Sequence, residues 1–295
     1  MAPPGRVRAR GEYLGVMSST STGRRVARAR ATVVDATGSR PRGERLVGEE
    51  PLEIRVAGRD GVVLGTTATM RTPGDDFDLA AGLLHAEGVI AAPEDLAEIR
   101  YCTDVDEQRY NVVTVHLRRP PRRALADRTL PATASCGVCG TAAIDELCAR
   151  IPAVAGGATV DADLLTTLPD RLRDAQPLFG RTGGAHAAGL FAADGTPVVV
   201  REDVGRHNAL DKAIGSRFLS GDLPGDDLVA VLSGRVSFEL VQKAAVAGIG
   251  TLIAVSAPSS LAVETAERLG VTLAAFVRDG RATLYAHPAR VVGAG

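Results

Sequence analysis

The sequence predicts an α/β protein with a β-α-β-α-β unit in its C-terminal half and a smaller α+β region before it. Three apolar strand patterns, at 228–232, 251–255 and 272–277, alternate with helical patterns at 238–247 and 261–269. This alternation indicates parallel strands that are joined by right-handed crossovers. A chain of 295 residues is also long enough for two domains.

The smaller region is predicted from a hairpin pattern near the start of the chain. Residues 52–56 and 62–70 read as two strands, and Gly58-Arg59-Asp60-Gly61 between them is a turn signal. Pro73 and Asp75 then favour the start of a helix. The elements expected next are a helix at 76–87 and strands at 99–102 and 111–117.

Changes in composition divide the chain into three parts. Residues 1–45 are rich in arginine, and we expect a basic, disordered tail there. Residues 46–134 make up the smaller α+β region, which ends in a proline-rich linker at 118–134. Residues 135–295 make up the α/β domain.

The middle of the chain leads from a polar helix into a glycine-rich loop. We expect the helix at 162–174 and a flexible loop at 179–186, which carries Arg181 and ends at His186. That position favours a role for His186 facing a ligand or the cysteines. The elements expected after the loop are strands at 187–192 and 198–200 and a helix at 209–219.

The bulk composition excludes several classes of partner. The formal net charge is −1, and aromatic residues make up 3% of the chain with no Trp, which argues against nucleic-acid binding. No apolar run approaches the roughly 20 residues of a membrane span, so no membrane partner is expected. The four cysteines do not suggest a disulfide framework, and a reducing, cytoplasmic location is expected.

Two of the cysteines lie in a glycine-rich segment, Ser135-Cys136-Gly137-Val138-Cys139-Gly140, at the predicted start of a helix. The helix dipole and the free backbone N–H groups at that end favour the thiolate. A thiolate attacks sulfur or binds metal. The segment therefore predicts a reactive-sulfur site that contains Cys136 and Cys139.

Other interpretations of these cysteines stay open at this point. A structural zinc site would need Cys148 and a histidine to complete the four ligands. A deaminase-type zinc site would use His85-Ala86-Glu87, but Ser135 stands where such sites have proline. A dithiol oxidoreductase would use both cysteines of the pair. We expect no permanently held metal.

The loops after the three parallel strands predict an anion site. Ligands bind beyond the carboxyl ends of such strands. The residues found there are Ser233, Gly234 and Arg235 after the first strand, Ser256 after the second, and Arg278 and Arg281 after the third. Helix N-termini and guanidinium groups both suit phosphate, so we expect a nucleotide-like ligand. The alternative is that the serines only cap helices.

His207 lies in the densest polar cluster of the chain, beside Arg206 and Asp203. It could act as a general base that Asp203 orients. It could equally fill space while its neighbours cap the following helix. Lys212 and Lys243, on predicted helices, are expected either on a solvated face or in salt bridges.

Several segments together resemble one protein family. They are Glu49-Glu50-Pro51-Leu52, Cys136-Gly137-Val138-Cys139-Gly140, Arg181-Thr182-Gly183-Gly184-Ala185-His186, the stretch 202–212, Ser233-Gly234-Arg235-Val236-Ser237-Phe238-Glu239 and Ser256-Ala257-Pro258. The chain is similar over 46–292 to the formate dehydrogenase accessory sulfurtransferases, the FdhD family.

The resemblance implies a sulfur carrier. Such proteins take persulfide sulfur from a cysteine desulfurase and pass it to the bis-guanine-dinucleotide molybdenum cofactor, a bound substrate, before the cofactor enters formate dehydrogenase. The resemblance also implies a cytidine-deaminase-like fold for the α/β domain and a homodimer. A non-catalytic chaperone that binds the cofactor is the alternative.

The resemblance assigns roles to particular positions. Cys136 becomes the expected persulfide cysteine, with Cys139 beside it in a less defined role. The segment expected to contact the cofactor consists of Phe276, Val277, Arg278, Asp279, Gly280 and Arg281. Together with the strand-end loops, His186 and His207, these residues make up the predicted site.

Overall fold

The computed structural model describes residues 25–102, 110–125, 148–149 and 151–293, together with a short strand at 7–8. Cys136 and Cys139 lie outside these residues, as does the second half of the predicted linker. The structure is a mixed α/β fold with two larger sheets, of five and six strands. No helix within the described ranges is long and apolar enough to cross a membrane.

The N-terminal part holds the five-stranded sheet and one helix. In chain order its elements are β1 (Val7–Arg8), β2 (Val26–Asp35), β3 (Gly38–Val47), β4 (Glu50–Ala57), β5 (Val63–Arg71), α1 (Asp76–Ala86), β6 (Leu96–Tyr101) and β7 (Val112–Leu117). The sheet order is β1-β6-β7-β4-β5, with β4 and β5 antiparallel and β4 parallel to β7. The predicted hairpin, helix and two later strands are confirmed.

The structure differs from the expected disordered tail at residues 26–45. Strands β2 and β3 pair in an antiparallel hairpin from Val26↔Val47 to Asp35↔Gly38. Small apolar residues alternate with exposed polar ones along β2, which is the period of a strand. The disordered-tail prediction followed the arginine content and overlooked this alternation, so it was wrong for this stretch.

The C-terminal part holds the six-stranded sheet. Its elements are β8 (Val160–Asp161), α2 (Ala162–Asp174), α3 (Pro177–Thr182), β9 (His186–Ala192), β10 (Pro197–Asp203), α4 (Arg206–Ser220), β11 (Leu228–Leu232), α5 (Phe238–Val246), β12 (Thr251–Ala254), α6 (Ser260–Leu269), β13 (Thr272–Arg278), β14 (Arg281–Ala286) and β15 (Val291–Val292). The order is β10-β9-β11-β12-β13-β14, and β11, β12 and β13 are parallel as predicted.

Helices cover both faces of this sheet. On one face, α4, α5 and α6 bury residues such as Leu210, Leu240 and Ala266 against the strands. On the other face, α2 packs Leu165 and Leu168 against the sheet. The fully buried, apolar strands follow from this arrangement, because each strand has a helix on both sides.

The predicted glycine loop at 179–186 is shorter than expected, because its first residues belong to α3. Pro177 opens this helix, and the Glu202 carboxylate accepts hydrogen bonds from the backbone N–H groups of Leu178 at 2.8 Å and Phe179 at 2.7 Å. Gly183, with φ of 66°, ends the helix in the left-handed conformation. A carboxylate from a distant strand thus replaces the local cap, which a sequence pattern does not show.

Helices α1 and α4 join the two parts of the molecule through two glycines. A Cβ atom on Gly82 would lie 1.9 Å from the Asp211 carbonyl oxygen, and one on Gly215 would lie 1.8 Å from the Asp78 carbonyl oxygen. Backbone therefore packs directly on backbone. This contact fixes the position of α1, and with it the N-terminal sheet, relative to α4. The N-terminus of α4 lies at the candidate functional site.

Candidate functional site

The start of β9 and the end of β11 lie side by side at one edge of the six-stranded sheet. The backbone N–H of Ala187 donates to Ser233 Oγ at 2.8 Å, and the N–H of Ser233 donates to the Ala187 carbonyl at 3.0 Å. Ser233 therefore bonds a neighbouring strand and is not a helix cap. Because His186 precedes Ala187, it is placed directly beside the loop that follows β11.

The predicted strand-end loops meet at this edge. Val236, after β11, donates to the Ala257 carbonyl at 3.1 Å, and Ser259 donates back to the Val236 carbonyl at 2.9 Å. The N–H of Phe276, on β13, donates to the Ser256 carbonyl at 3.2 Å. Backbone hydrogen bonds thus connect the ends of all three parallel strands.

Two arginines lie close together at the centre of the edge. Burial and the neighbouring Arg235 charge lower the pKa of Arg206, and only Glu239 acts in the opposite direction. The Nε atom of Arg206 is buried and has no hydrogen-bond partner within the described part of the chain. This is an arrangement that an anion would stabilise.

Gly234 packs closely against the side chains of His186 and Arg206. A Cβ atom there would lie 3.1 Å from His186 Nδ1 and 4.0 Å from Arg206 Cδ. Burial is the main cause that lowers the pKa of His186, and Arg206 adds to it. His186 is therefore a neutral hydrogen-bonding group beside the arginines at pH 7.

His207 is also neutral, and Asp203 does not orient it. Its Nε2 lies 2.9 Å from Ser237 Oγ and 3.4 Å from Glu239 Oε2. Burial, followed by the Arg206 and Lys243 charges, lowers the pKa of His207 to about 3. The general-base interpretation with Asp203 was wrong, because that carboxylate is committed to other partners.

Those partners form a buried ionic cluster behind the site. Lys212 Nζ lies 2.8 Å from Asp203 Oδ2 and donates to the Thr72 carbonyl at 2.8 Å, and both charged side chains are fully buried. The N–H of Thr72 donates to the same carboxylate oxygen at 3.0 Å. Of the two interpretations of Lys212, the salt bridge is confirmed.

A second buried ion pair stabilises the neighbouring helix. Lys243, on α5, donates to both carboxylate oxygens of Asp211 at 2.7 and 3.0 Å. Lys243 is therefore also a salt-bridge partner. The pair fixes α5 against α4, whose N-termini both face the edge of the sheet.

Neither of these helix N-termini has a side-chain cap. The N-cap of α4 is Gly205, and the N-cap of α5 is Ser237, whose hydroxyl bonds His207. No acidic residue occupies the first turn of α4. The uncapped N-terminus of α4 adds its dipole to the arginine charges and further favours an anion, whereas the first turn of α5 contains Glu239.

The residues from Phe276 to Arg281 differ in burial: Val277 is buried, and the others are exposed. Phe276 has a left-handed backbone with φ of 52°, and its side chain is 38% exposed. The side chain of Val277 is fully buried in the apolar core and is not available to a ligand. The remaining members form an exposed turn, in which Arg278 pairs with Arg281 around Asp279 and Gly280.

The predicted cysteine site lies outside the described residues. Cys102 and Cys148 are half-buried cysteines. Within the described ranges no group of three or more His, Cys, Asp or Glu side chains could hold a metal ion. His85 packs on Phe218 with ring centroids 5.0 Å apart, and its Nδ1 lies 3.4 Å from the Ile90 carbonyl.

Arg206, Ser237 and Glu239 were not among the predicted site residues. A signal for Arg206 was present, because a cation in the first turn of a helix is electrostatically unfavourable unless an anion joins it. The roles of Ser237 and Glu239 follow only from the contact between α5 and the start of α4. No local pattern shows that contact.

The fold and this edge define an α/β protein with a candidate anion site at the ends of its parallel strands. The FdhD/NarQ family model matches residues 47–292. The chain belongs to the FdhD/NarQ family, which confirms the resemblance seen in its motifs.

Curated relatives and a solved structure agree with this assignment. Proteins named "Sulfur carrier protein FdhD" are 50% identical in Nocardia farcinica, covering 93% of this chain and 98% of the relative, and 47% identical in Mycobacterium tuberculosis, covering 90% and 97%. A crystal structure of a candidate formate dehydrogenase accessory protein from Desulfotalea psychrophila aligns with a TM-score of 0.70 and 25% identity, over 90% of this chain and 99% of that one. Neither comparison tests the cytidine-deaminase likeness, which stays a prediction.

Proposed function

We propose that this protein is a sulfur carrier for formate dehydrogenase. It accepts persulfide sulfur from a cysteine desulfurase and transfers it to the bis-guanine-dinucleotide molybdenum cofactor before the cofactor enters the enzyme. The names of the relatives support sulfur transport, and the reactive-sulfur motif at Cys136 supports a persulfide. We further propose that the protein acts in the cytoplasm as a homodimer.

The observation that carries the proposal is the unmatched pair Arg206 and Arg235. Burial and the Arg235 charge lower the pKa of Arg206, and the two nearby histidines are neutral. A phosphate or pyrophosphate between the arginines would relieve this repulsion and form charge-assisted hydrogen bonds. A dinucleotide cofactor provides such groups.

Phe276 gives the same edge a surface for a flat ring. Its exposed side chain is held in a left-handed backbone conformation, which is costly for a bulky residue. The exposed Arg278 and Arg281 follow it in the chain. We propose that this segment contacts a guanine nucleotide of the cofactor, with the aromatic ring against the base.

Loading of the sulfur requires only a thiolate exchange. The Cys136 thiolate attacks the terminal sulfur of the donor's cysteine persulfide, the donor's S–S bond breaks, and the donor cysteine leaves as a thiolate. Cys136 then carries the persulfide, and no oxidant or reductant is consumed. Cys139 is proposed as its neighbour in this site.

The first experiment is intact-protein mass spectrometry after incubation with a cysteine desulfurase and cysteine. Wild type should gain one or more sulfur atoms that a reductant removes, and Cys136→Ala should gain none, with Cys139→Ala as the comparison. If wild type gains nothing from a competent donor, the protein is not a sulfur carrier. The chaperone that only binds the cofactor would then be the better proposal.

The anion site is tested separately with GDP by isothermal titration calorimetry. Arg206→Gln removes one charged donor, and the loss of such hydrogen bonds should weaken GDP binding about tenfold or more. Arg59→Gln, in the exposed β4–β5 turn, is the matched control and should bind as wild type does. Equal affinities for the two variants would contradict the assignment of Arg206.

A further inference from the structure

The β2–β3 hairpin has features that its fold does not explain. Its two strands pair only with each other among the described strands, and most of its residues are exposed. A two-stranded hairpin alone is marginally stable in water. Residues 26–47 contain five arginines and two acids, a formal charge of +3, whereas the whole chain carries −1.

The five arginines fall into two sets. Arg40 bonds the Asp35 carboxylate, and Arg42 lies 3.0 Å from Glu44. The others are Arg28, Arg30 and Arg45, which have no acidic partner in the described part of the chain and are exposed. We call these three residues the basic face.

The basic face is electrostatically unfavourable in the isolated hairpin. Arg28 and Arg45 are directly opposite in the register, and Arg30 is two positions from Arg28 on the same side of the strand. Like charges directly opposite each other destabilise a strand pair. The arrangement is favourable only when anionic groups cover it.

The base of the hairpin is fixed beside the anion site. The Gly48 N–H donates to the Arg25 carbonyl at 2.8 Å, and the Thr72 hydroxyl donates to the Gly48 carbonyl at 3.0 Å. A Cβ atom on Gly184 would lie 3.0 Å from Val47 Cγ1. Because Gly184 precedes His186 by two residues, the hairpin starts where a bound cofactor would lie.

We propose that the basic face docks on a carboxylate-bearing surface of the protein that receives the cofactor, an inference that rests on the proposed function. A protein fits better than a nucleic acid because residues 26–47 contain no aromatic side chain on which a base could stack. Val34, 74% exposed, lies on the same side of β2 as Arg28 and Arg30 and adds apolar area. Arginines beside apolar groups are typical of protein interfaces.

The test measures binding of this protein to formate dehydrogenase apoprotein from the same organism by biolayer interferometry, at low and high salt. Arg45→Glu places a carboxylate opposite Arg28, so the hairpin gains a favourable cross-strand pair while the formal charge of the basic face falls from +3 to +1. This variant should bind about tenfold more weakly and lose most of the salt dependence of wild type. Arg59→Glu makes the same charge change at the β4–β5 turn and should bind normally.

Three results would overturn the proposal. Arg45→Glu could bind the apoprotein as tightly as Arg59→Glu does. Gel filtration could show that Arg45→Glu changes the oligomeric state, in which case a second copy of this chain covers the basic face. The variant could instead lose affinity for bulk transfer RNA while keeping affinity for the apoprotein.

The same variant separates this proposal from the proposed function. Arg45→Glu should gain sulfur in the mass spectrometry assay and bind GDP as wild type does, because the basic face is outside the anion site. If wild type itself gains no sulfur and binds no GDP, the proposed function fails. If it does both and Arg45→Glu docks normally, only the docking proposal fails.

Discussion

Two successive turns of α4 differ in whether their charged side chains are paired with an opposite charge. The first turn holds Arg206, whose pKa is lowered by burial and by the nearby Arg235 charge, and the neutral ring of His207. In the next turn, Asp211 and Lys212 are each paired with an opposite charge, at 2.7 and 2.8 Å. One helix therefore carries a half-buried arginine beside a like charge and, further along, buried charges that are matched.

This difference indicates different roles: the paired charges stabilise the fold, and Arg206 is available to bind a ligand. Matched buried charges contribute fixed geometry, since removing either partner leaves the other uncompensated. Unmatched like charges destabilise the free protein and become favourable when a ligand supplies the opposite charge. Changes in the matched set should therefore alter the free energy of unfolding, while changes at Arg206 should mainly alter ligand affinity.

The largest effect is expected for Lys212→Met. The substitution leaves the fully buried Asp203 carboxylate without its cation, and the free energy of unfolding should fall by about 3–5 kcal/mol. Urea denaturation measures this loss. The double variant Asp203→Asn, Lys212→Met should recover a large part of it, and a double variant no more stable than Lys212→Met would argue against a charge effect.

A smaller effect is expected from methyl groups added at two glycines. In Gly215→Ala the new Cβ meets the Asp78 carbonyl, which belongs to backbone and cannot rotate away, and the cost should be about 3 kcal/mol. In Gly234→Ala the new Cβ meets the His186 ring, which can turn, so stability should change by less than about 1 kcal/mol. Thermal unfolding compares the two, and GDP titration should show weaker binding only for Gly234→Ala.

The smallest effect concerns pH. The pKa of His207 is about 3 in the folded protein and 6.5 ordinarily, so the unfolded chain binds the extra proton between these values. The stabilisation is complete above pH 6.5 and is lost as the pH falls toward 3, amounting to about 2 kcal/mol by about pH 5. Denaturation midpoints of His207→Gln should fall less steeply from about pH 7.5 to about pH 5 than those of wild type, and equal slopes would contradict the burial of a neutral ring.

The sequence predicted five of the six strands of the larger sheet with ends that differ by at most three residues, and it did not predict β14. The apolar runs at 228–232 and 251–255 are bounded by serine and glycine, so local pattern and tertiary structure agree there. Convergence of the strand-end loops also followed from topology, because the carboxyl ends of parallel strands share an edge. These strands and loops could be predicted because they depend on patterns of residues that are near each other in the sequence.

Other parts depend on partners far away in the chain. A lysine in a helix is usually solvated, yet Lys212 bonds the carbonyl of Thr72, 140 positions earlier. The helix α3 is capped by Glu202, 24 positions from Leu178. Neither partner is visible in a local pattern, and composition misled the prediction for β2 and β3.

The glycine contact between α1 and α4 has a mechanical consequence. Two helices that touch through side chains can slide as rotamers change, but Gly82 and Gly215 bring backbone against backbone and leave nothing to rotate. The two sheets therefore behave as one block without a hinge at this contact. Under the proposed function, sulfur transfer therefore does not use a rotation of one sheet against the other at this contact.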